Sequence, residues 1–368
     1  MARKRGYSAF ADVIGTTADG RDLNDLFNEL NTVAELANED QQNFLDMFCQ
    51  STTNVVTSTL QALSNGVDAW QAASEYGIAE STRQEFDTLN MGATFQWFDA
   101  RWGTTWQYLA DATEAEVAAQ ASAIIQGAQE KVFNDVMRTV FSPVNRSVTD
   151  KRTGQVYDVF AFANGDGWVP PSYAGNAFNG THTHFRTSGA ATIVSGDLDE
   201  IISDLKSHGY SEENGTQVII FVNSVEADVI KTFRVANGDG ADFIPSKGQS
   251  FFANAGDLVG EQVSATYAGF PVKGSYDGAL IIETSRIPAG YVTALASGGK
   301  LAGTNPILFR QHPKFPNLTL VKGGDNDYPL IDSHWVLGYG TGVRHRLAGM
   351  VMQITAAADY TAPALYVA

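Results

Sequence analysis

A single cysteine, Cys49, in 368 residues excludes an internal disulfide and a cysteine-based zinc site, and it suits a reducing compartment. Assembly in cytoplasm is therefore expected. Long apolar runs are also missing. No stretch approaches the roughly 20 apolar residues of a membrane span, and the basic start (Met1, Ala2, Arg3, Lys4, Arg5) leads into no signal-peptide-like run. The expectation is a soluble, non-secreted protein without a membrane partner. Basic residues are scarce at the front, where residues 6–141 carry 20 Asp and Glu against 5 Lys and Arg, and no lysine stands between Lys4 and Lys131. With a net charge of −17 the body lacks the basic faces that displace counterions from a duplex, so sequence-specific nucleic-acid binding is not expected. Only the Arg3, Lys4, Arg5 tip suits phosphate.

What is present is apolar enough, at 44%, for sizeable cores in two or three domains. The clearest element runs from Thr113 to Phe141. Thr113 and Glu116 form a capping-box pair, and Val117, Ala121, Ile124, Ala128, Val132, Val136 and Val140 recur at helical spacing until Pro143 stops the run. At ~1.5 Å per residue this is a rod of roughly 40 Å, longer than a compact core requires. Residues 6–20 read as an extended arm. Leu23, Leu26, Phe27, Leu30, Val33 and Leu36 make a helical stripe, interrupted by polar residues at Asn38 to Asn43 before Phe44, Leu45, Met47 and Phe48. That helix packs either on its own core or on a neighbouring subunit.

From Gly66 to Leu109 small residues and turns dominate, then aromatics: Phe95, Trp97, Phe98, Trp102, Trp106 and Tyr108. These either form a local core or lie on a projecting hairpin and are buried by partners, where Trp, Tyr and Arg are favoured. Arg83 and Arg101 are the only basic residues of the segment. Arg83, Phe95, Trp97, Arg101, Trp102 and Trp106 are accordingly the candidate subunit-interface residues.

Further on, Val156 to Phe162 reads as a strand ending in the turn Asn164 to Gly167. Asp197 to His208 reads as a helix stopped by Gly209, Gln217 to Val222 as a buried strand, and Asn223 as the cap of a helix to Phe233 with Glu226 in the capping box. Short strands follow at Ala279 to Ile282, Val292 to Ala296, Pro306 to Phe309 and Leu318 to Val321. In the tail, Gly338, Gly340 and Gly342 precede one long apolar strand.

No convincing active site emerges. His182 and His184 lie two apart and could face one metal, but no third ligand stands at a recognisable spacing, so they read as hydrogen-bonded structural histidines. Asn164 to Gly167, Asn237 to Gly240 and Asp325 to Asp327 resemble fragments of calcium loops without the distal glutamate and read as tight turns. Ser297, Gly298, Gly299 and Lys300 fail as a phosphate loop, since Leu301 stands where Ser or Thr must bind magnesium. The glycines at 338, 340 and 342 lack the βαβ context of a dinucleotide site. Catalytic residues, cofactors and metal ligands are all predicted to be none.

Several ordered stretches carry a resemblance: Gly180-Thr-His-Thr-His-Phe with Ser188-Gly-Ala-Ala; Ile219-Ile-Phe-Val-Asn and Asp228-Val-Ile-Lys-Thr-Phe; Ile287-Pro-Ala-Gly-Tyr; Asn305-Pro-Ile; Asp327-Tyr-Pro-Leu-Ile-Asp; and Gly340-Thr-Gly-Val-Arg-His-Arg ending in Val351-Met-Gln-Ile. In this order the chain resembles major capsid proteins of tailed bacteriophages with the HK97-like fold, particularly phages of actinobacteria. The resemblance implies an α+β subunit with an N-terminal arm (1–62), an extended loop (63–110) and a peripheral domain (111–195) holding a spine helix at 113–141. An axial domain (196–338) and a return to the peripheral domain with a C-terminal tail (339–368) complete it. It implies hexamers and pentamers of the chain in an icosahedral shell around double-stranded DNA, with scaffold, portal and decoration proteins as further partners and the virion capsid as location. The HK97 shell is crosslinked from an extended-loop lysine; this loop has none, so no crosslink is expected and mature particles should give a single-subunit band on a denaturing gel. An encapsulin-type compartment shares the fold. A soluble α+β metal-dependent enzyme using His182 and His184 is the alternative of another class.

Overall fold

Helix α1 (Leu23–Phe48) runs without a break through residues 38–43, where the sequence predicts an interruption. The structure, a computed structural model, describes residues 15–61, 77, 88–101, 105–151, 153–247, 263–322 and 333–367. The correction has a positional cause. Leu23, Leu26, Leu30, Ala34, Leu45 and Phe48 keep a buried face at helical spacing while the polar residues fall mainly outside it. Val33 and Leu36, expected in the stripe, are instead exposed. Strand β1 (Cys49–Thr52) follows, and β2 (Val56–Leu60) pairs antiparallel with β3 (Thr88–Gly92), Val56 opposite Gly92.

Strand β4 (Gln96–Arg101) and the short helix α2 (Trp106–Asp111) lead into the spine helix α3 (Glu114–Phe141). Its start is capped as the sequence predicts: the Thr113 N–H donates to Glu116 Oε2 at 2.8 Å, and the Glu116 N–H reaches Thr113 Oγ1 at 3.4 Å. The buried face comprises Val117, Ala121, Ile125, Val132, Phe133, Val136, Met137, Val140 and Phe141. Ile125 replaces the expected Ile124, and the face widens toward the C-terminal half, so more than one neighbour packs there.

Strands β5 (Arg146–Thr149) and β6 (Val156–Val159) form a hairpin, and β6 stops short of the expected Phe162. After β7 (Phe185–Thr187), helix α4 (Ser195–Ser207) buries Leu198, Ile201, Ile202 and Leu205. It ends at His208 and Gly209, whose φ of +89° is the left-handed geometry that glycine permits. Strand β8 (Gln217–Val222) has its expected limits, whereas α5 (Ser224–Ile230) stops before Phe233. Asn223 caps α5, but Glu226 does not close a capping box: its Oε1 accepts from the Gly290 N–H at 2.8 Å. The remaining strands are β9 (Ile244–Pro245), β10 (Thr266–Tyr267), β11 (Phe270–Tyr276), β12 (Ala279–Glu283), β13 (Tyr291–Ser297), β14 (Ile307–Gln311), β15 (Thr319–Val321), β16 (His334–Val343) and β17 (Gly349–Gln353). The tail is thus two strands. Gly338, Gly340 and Gly342 lie inside β16 and do not precede it, and the expected single strand from Val343 onward is broken at residues 344–348.

The chain divides into two compact units. One comprises the described residues of Met1–Gln42, Phe95–Asn134 and Arg310–Gly340. In it β16 lies between β4 and β15, both antiparallel to it. Helix α1 is fastened by side-chain amides: Asn38 Nδ2 donates to Leu318 O at 3.0 Å, and Gln129 Nε2 of α3 donates to Ala37 O at 2.9 Å.

The other unit comprises the described residues of Asn43–Thr94, Asp135–Phe309 and Thr341–Ala368. Its eight-stranded sheet has the order β10-β11-β12-β8-β13-β17-β7, with β9 on β11. Strand β8 is central, parallel to β12 and antiparallel to β13. Strand β17 is antiparallel to β13 and parallel to β7. A core forms from the α4 stripe, Ile220 and Val222 of β8, Val292 and Ala294 of β13, and Met350 and Met352 of β17. This sheet unites stretches that the sequence-based division separates near residues 195 and 338. The C-terminal end of α3 meets β16, with Thr139 Oγ1 and Thr341 Oγ1 2.7 Å apart and buried.

Candidate functional site

Of the six candidate interface residues, three can be placed in full. Phe95, Trp97 and Arg101 lie on or beside β4; Arg83 and Trp102 fall outside the described residues, as does the side chain of Trp106, whose backbone opens α2. Alternation along β4 sends Trp97 and Phe98 to opposite faces. Phe98 packs on Tyr339 (centroids 5.3 Å apart), and Lys131 Nζ of α3 stands 4.0 Å over its ring. Trp97, 46% exposed, faces the other way.

Trp97 sits opposite Gly338 in the β4 to β16 register. A Cβ at Gly338 would lie 2.5 Å from the indole, so a larger residue there would push the ring off the neighbouring strand. Around it are Phe95 (5.4 Å, edge-on), His312 (4.8 Å) and Phe315 (6.1 Å), and the Arg310 guanidinium stands 5.0 Å from the Phe95 ring. His312 and Phe315 come from the turn after β14, more than two hundred residues away, and no sequence spacing points to them. Arg101 is exposed at the end of β4, opposite His334. The result is an aromatic face flanked by cationic groups. Val33 and Leu36, three apart on α1, are 46% and 58% exposed and form a second, smaller apolar surface.

The segments with an enzyme-like look have other occupations. In the turn at residues 164–167, Asn164 Oδ1 and Asp166 Oδ2 accept from Arg346 Nη2 at 3.0 and 2.9 Å, and Arg346 Nε donates to Ala161 O at 3.1 Å. The guanidinium, buried to 1% exposure, also stands 4.7 Å over Trp168. Burial alone would raise the Asp166 pKa, but the hydrogen bond and charge of Arg346 outweigh it and hold that carboxylate below its ordinary range. At residues 237–240 the turn is closed by Asp239 Oδ2, which accepts from the Arg234 N–H at 2.8 Å. The Asp325 to Asp327 turn lies outside the described residues. At the phosphate-loop-like stretch the Gly298 N–H donates to Asn305 Oδ1 at 3.0 Å, and Ser297 Oγ donates to Met47 O at 2.6 Å.

His182 and His184 do converge, and a third histidine joins them. His208, at the C-terminal end of α4, places Nε2 2.8 Å from His182 Nε2, while His184 Nε2 is 3.1 Å from the same atom. The third histidine is invisible to spacing rules because it arrives from a helix end 24 residues after His184. His184 and His208 are buried, His182 half-buried, and Phe178 stacks on His208 at 4.0 Å. Burial lowers all three pKa values, that of His208 to about 3, so the rings are neutral.

No family model matches the chain, and neither does any curated protein. Solved structures do. The one described as Mycobacterium phage Patience is 33% identical, covers 99% of this chain and 97% of its own, and superposes with a TM-score of 0.69. The capsid of Ralstonia phage GP4 is 10% identical over 98% of this chain and 96% of its own, with a TM-score of 0.49. The SrpI encapsulin complex of Synechococcus elongatus PCC 7942 is 10% identical over 86% of this chain and 88% of its own, with a TM-score of 0.41. The assignment rests on the first of these and on the ordered motifs, which run through both units described above. The chain belongs to the HK97-like major capsid proteins of tailed bacteriophages.

Proposed function

We propose that this chain is a structural, non-catalytic subunit that self-assembles as hexamers and pentamers into an icosahedral shell enclosing phage double-stranded DNA, assembled in the host cytoplasm with scaffold and portal partners. The observation that carries this reading is the 33% identity to the Mycobacterium phage Patience structure over nearly the full chain. The spine helix supports it as a rod. So does the β2 and β3 ribbon, from which the segment proposed as the extended loop departs. The acidic charge of the first 141 residues suits a container for DNA better than a reader of its bases.

In this reading the exposed aromatic face of Phe95 and Trp97, with Arg101 and the loop residues Arg83, Trp102 and Trp106, lies against a neighbouring copy. Aromatic rings beside arginines are the groups that dominate protein interfaces. The domain division at 62, 110, 195 and 338 is carried as part of the same proposal. Electron microscopy of the protein co-expressed with its scaffold and portal tests it: closed shells that package DNA are expected, and monomers alone would overturn it. Shells holding a cargo enzyme in place of DNA would make it an encapsulin-type compartment.

A further inference from the structure

Three imidazole nitrogens meeting at one point is a costly arrangement unless something sits between them. Each neutral ring carries one N–H and one lone pair. His184 Nδ1 lies 2.7 Å from Gly349 O, and a carbonyl oxygen only accepts, so the His184 proton is on Nδ1 and its Nε2 is a bare lone pair. Both close contacts of the cluster run through His182 Nε2. If His208 donates to that atom, His182 Nε2 is itself bare and faces the His184 lone pair at 3.1 Å. If His182 carries the proton, its single N–H must serve two acceptors. No distribution of protons over three neutral rings gives both contacts a full hydrogen bond. His208 Nδ1, buried without a partner among the described residues, would carry that ring's proton when Nε2 is a ligand. One cation satisfies all three lone pairs together.

We propose that His182, His184 and His208 form a three-histidine site for a borderline divalent metal, zinc(II) in the first instance, with a fourth position open to water. The three ligand atoms lie within 4.8 Å of one another. Nitrogens at ~2.0–2.1 Å from zinc in a tetrahedral arrangement stand roughly 3.3 Å apart, so the observed 2.8 and 3.1 Å would spread a little and the His184 to His208 pair, within 4.8 Å, would close toward the same distance. An all-imidazole set selects zinc, copper, nickel or cobalt over magnesium and calcium, which require oxygen. The Gly349 carbonyl supplies the outer hydrogen bond that fixes the ligating tautomer of His184. Asp204 and Arg186, the charged groups that act on His182, pair with each other at 2.7 Å, and Arg186 pairs with Glu200 as well. His182, the half-buried member, marks the side from which an ion enters.

The metal would be a pin. It ties the segment before β7 to the end of α4 and, through His184, to the first residue of β17. Metal-free full-length protein is titrated with zinc(II) while thermal unfolding is followed, and with cobalt(II) while visible absorption is followed. One equivalent per chain, a raised Tm and the intense spectrum of four-coordinate cobalt are expected. His182→Ala keeps the His184 to Gly349 bond and should weaken binding by more than about 100-fold, beyond an outer-shell effect; His334→Ala should leave it unchanged. Absence of saturable one-equivalent binding, a six-coordinate cobalt spectrum, or full binding by His182→Ala would overturn the site. The wild-type cobalt spectrum is independent of any variant's folding, and none of these readouts depends on shell formation.

Discussion

Arg346 shows how much of this molecule is decided at single side chains. A guanidinium at 1% exposure persists because every side of it is answered: Asp166 for charge, Asn164 and Ala161 for hydrogen bonds, Trp168 for its face. The same turn sequence taken alone resembles a calcium-loop fragment and reads as a tight turn, because sequence shows the carboxylate and not the cation brought to it from 180 residues later. His345, next to it, is buried with Nε2 2.8 Å from Gly303 O. Burial lowers its pKa from 6.5 to about 4, against a small opposing effect of that hydrogen bond. The folded state therefore takes up the proton later than the unfolded chain does. Its contribution to stability is fully present above pH ~6.5 and is lost as pH falls toward about 4. Urea unfolding across that window should show stability falling with a slope of up to about one proton, and His345→Gln should flatten it. An unchanged slope would mean the ring titrates normally.

At the scale of elements, what could be read in advance was what local periodicity and capping dictate. Helix α3 with its Thr113 and Glu116 cap, helix α4 with Gly209 and strand β8 all stand where their patterns put them. The misplaced features each have a non-local cause. The polar stretch in α1 interrupts nothing because the buried face passes it by, and the glycines expected to precede a strand lie within β16, where Gly338 makes room for an indole from another strand. The meeting of α3 and β16 can be measured directly. Thr139 and Thr341 share a buried hydrogen bond, and both also approach Asp135 O, at 3.1 and 3.4 Å. Thr139→Val and Thr341→Val should each destabilise the protein by about 1 kcal/mol, and the double variant should cost less than the sum by about 0.5 kcal/mol or more. Strict additivity in urea unfolding would separate the two residues.

For the molecule as a whole, the exposed face around Trp97 is where folding and assembly can be told apart. Trp97→Ala removes a ring that is almost half open to solvent in the isolated chain. Subunit association should weaken by about 2 kcal/mol, seen as fewer particles on a sizing column, with a smaller change in unfolding midpoint. Equal losses of both would make Trp97 a core residue. Strand β17 bears on a different stage of the subunit's life. Among the described residues strand β7 joins the eight-stranded sheet only through β17, and β13 pairs with β17 and β8. A ribosome releases β7 and β13 long before it releases β17, so the nascent sheet waits with one side unfinished. Chains interrupted before Gly349 are expected to be degraded within minutes in pulse-chase labelling, while complete chains persist; equal lifetimes would mean the sheet closes without its late strand. Translation itself would then act as an inspector, since a chain that stops before β17 would be removed before it could join other copies.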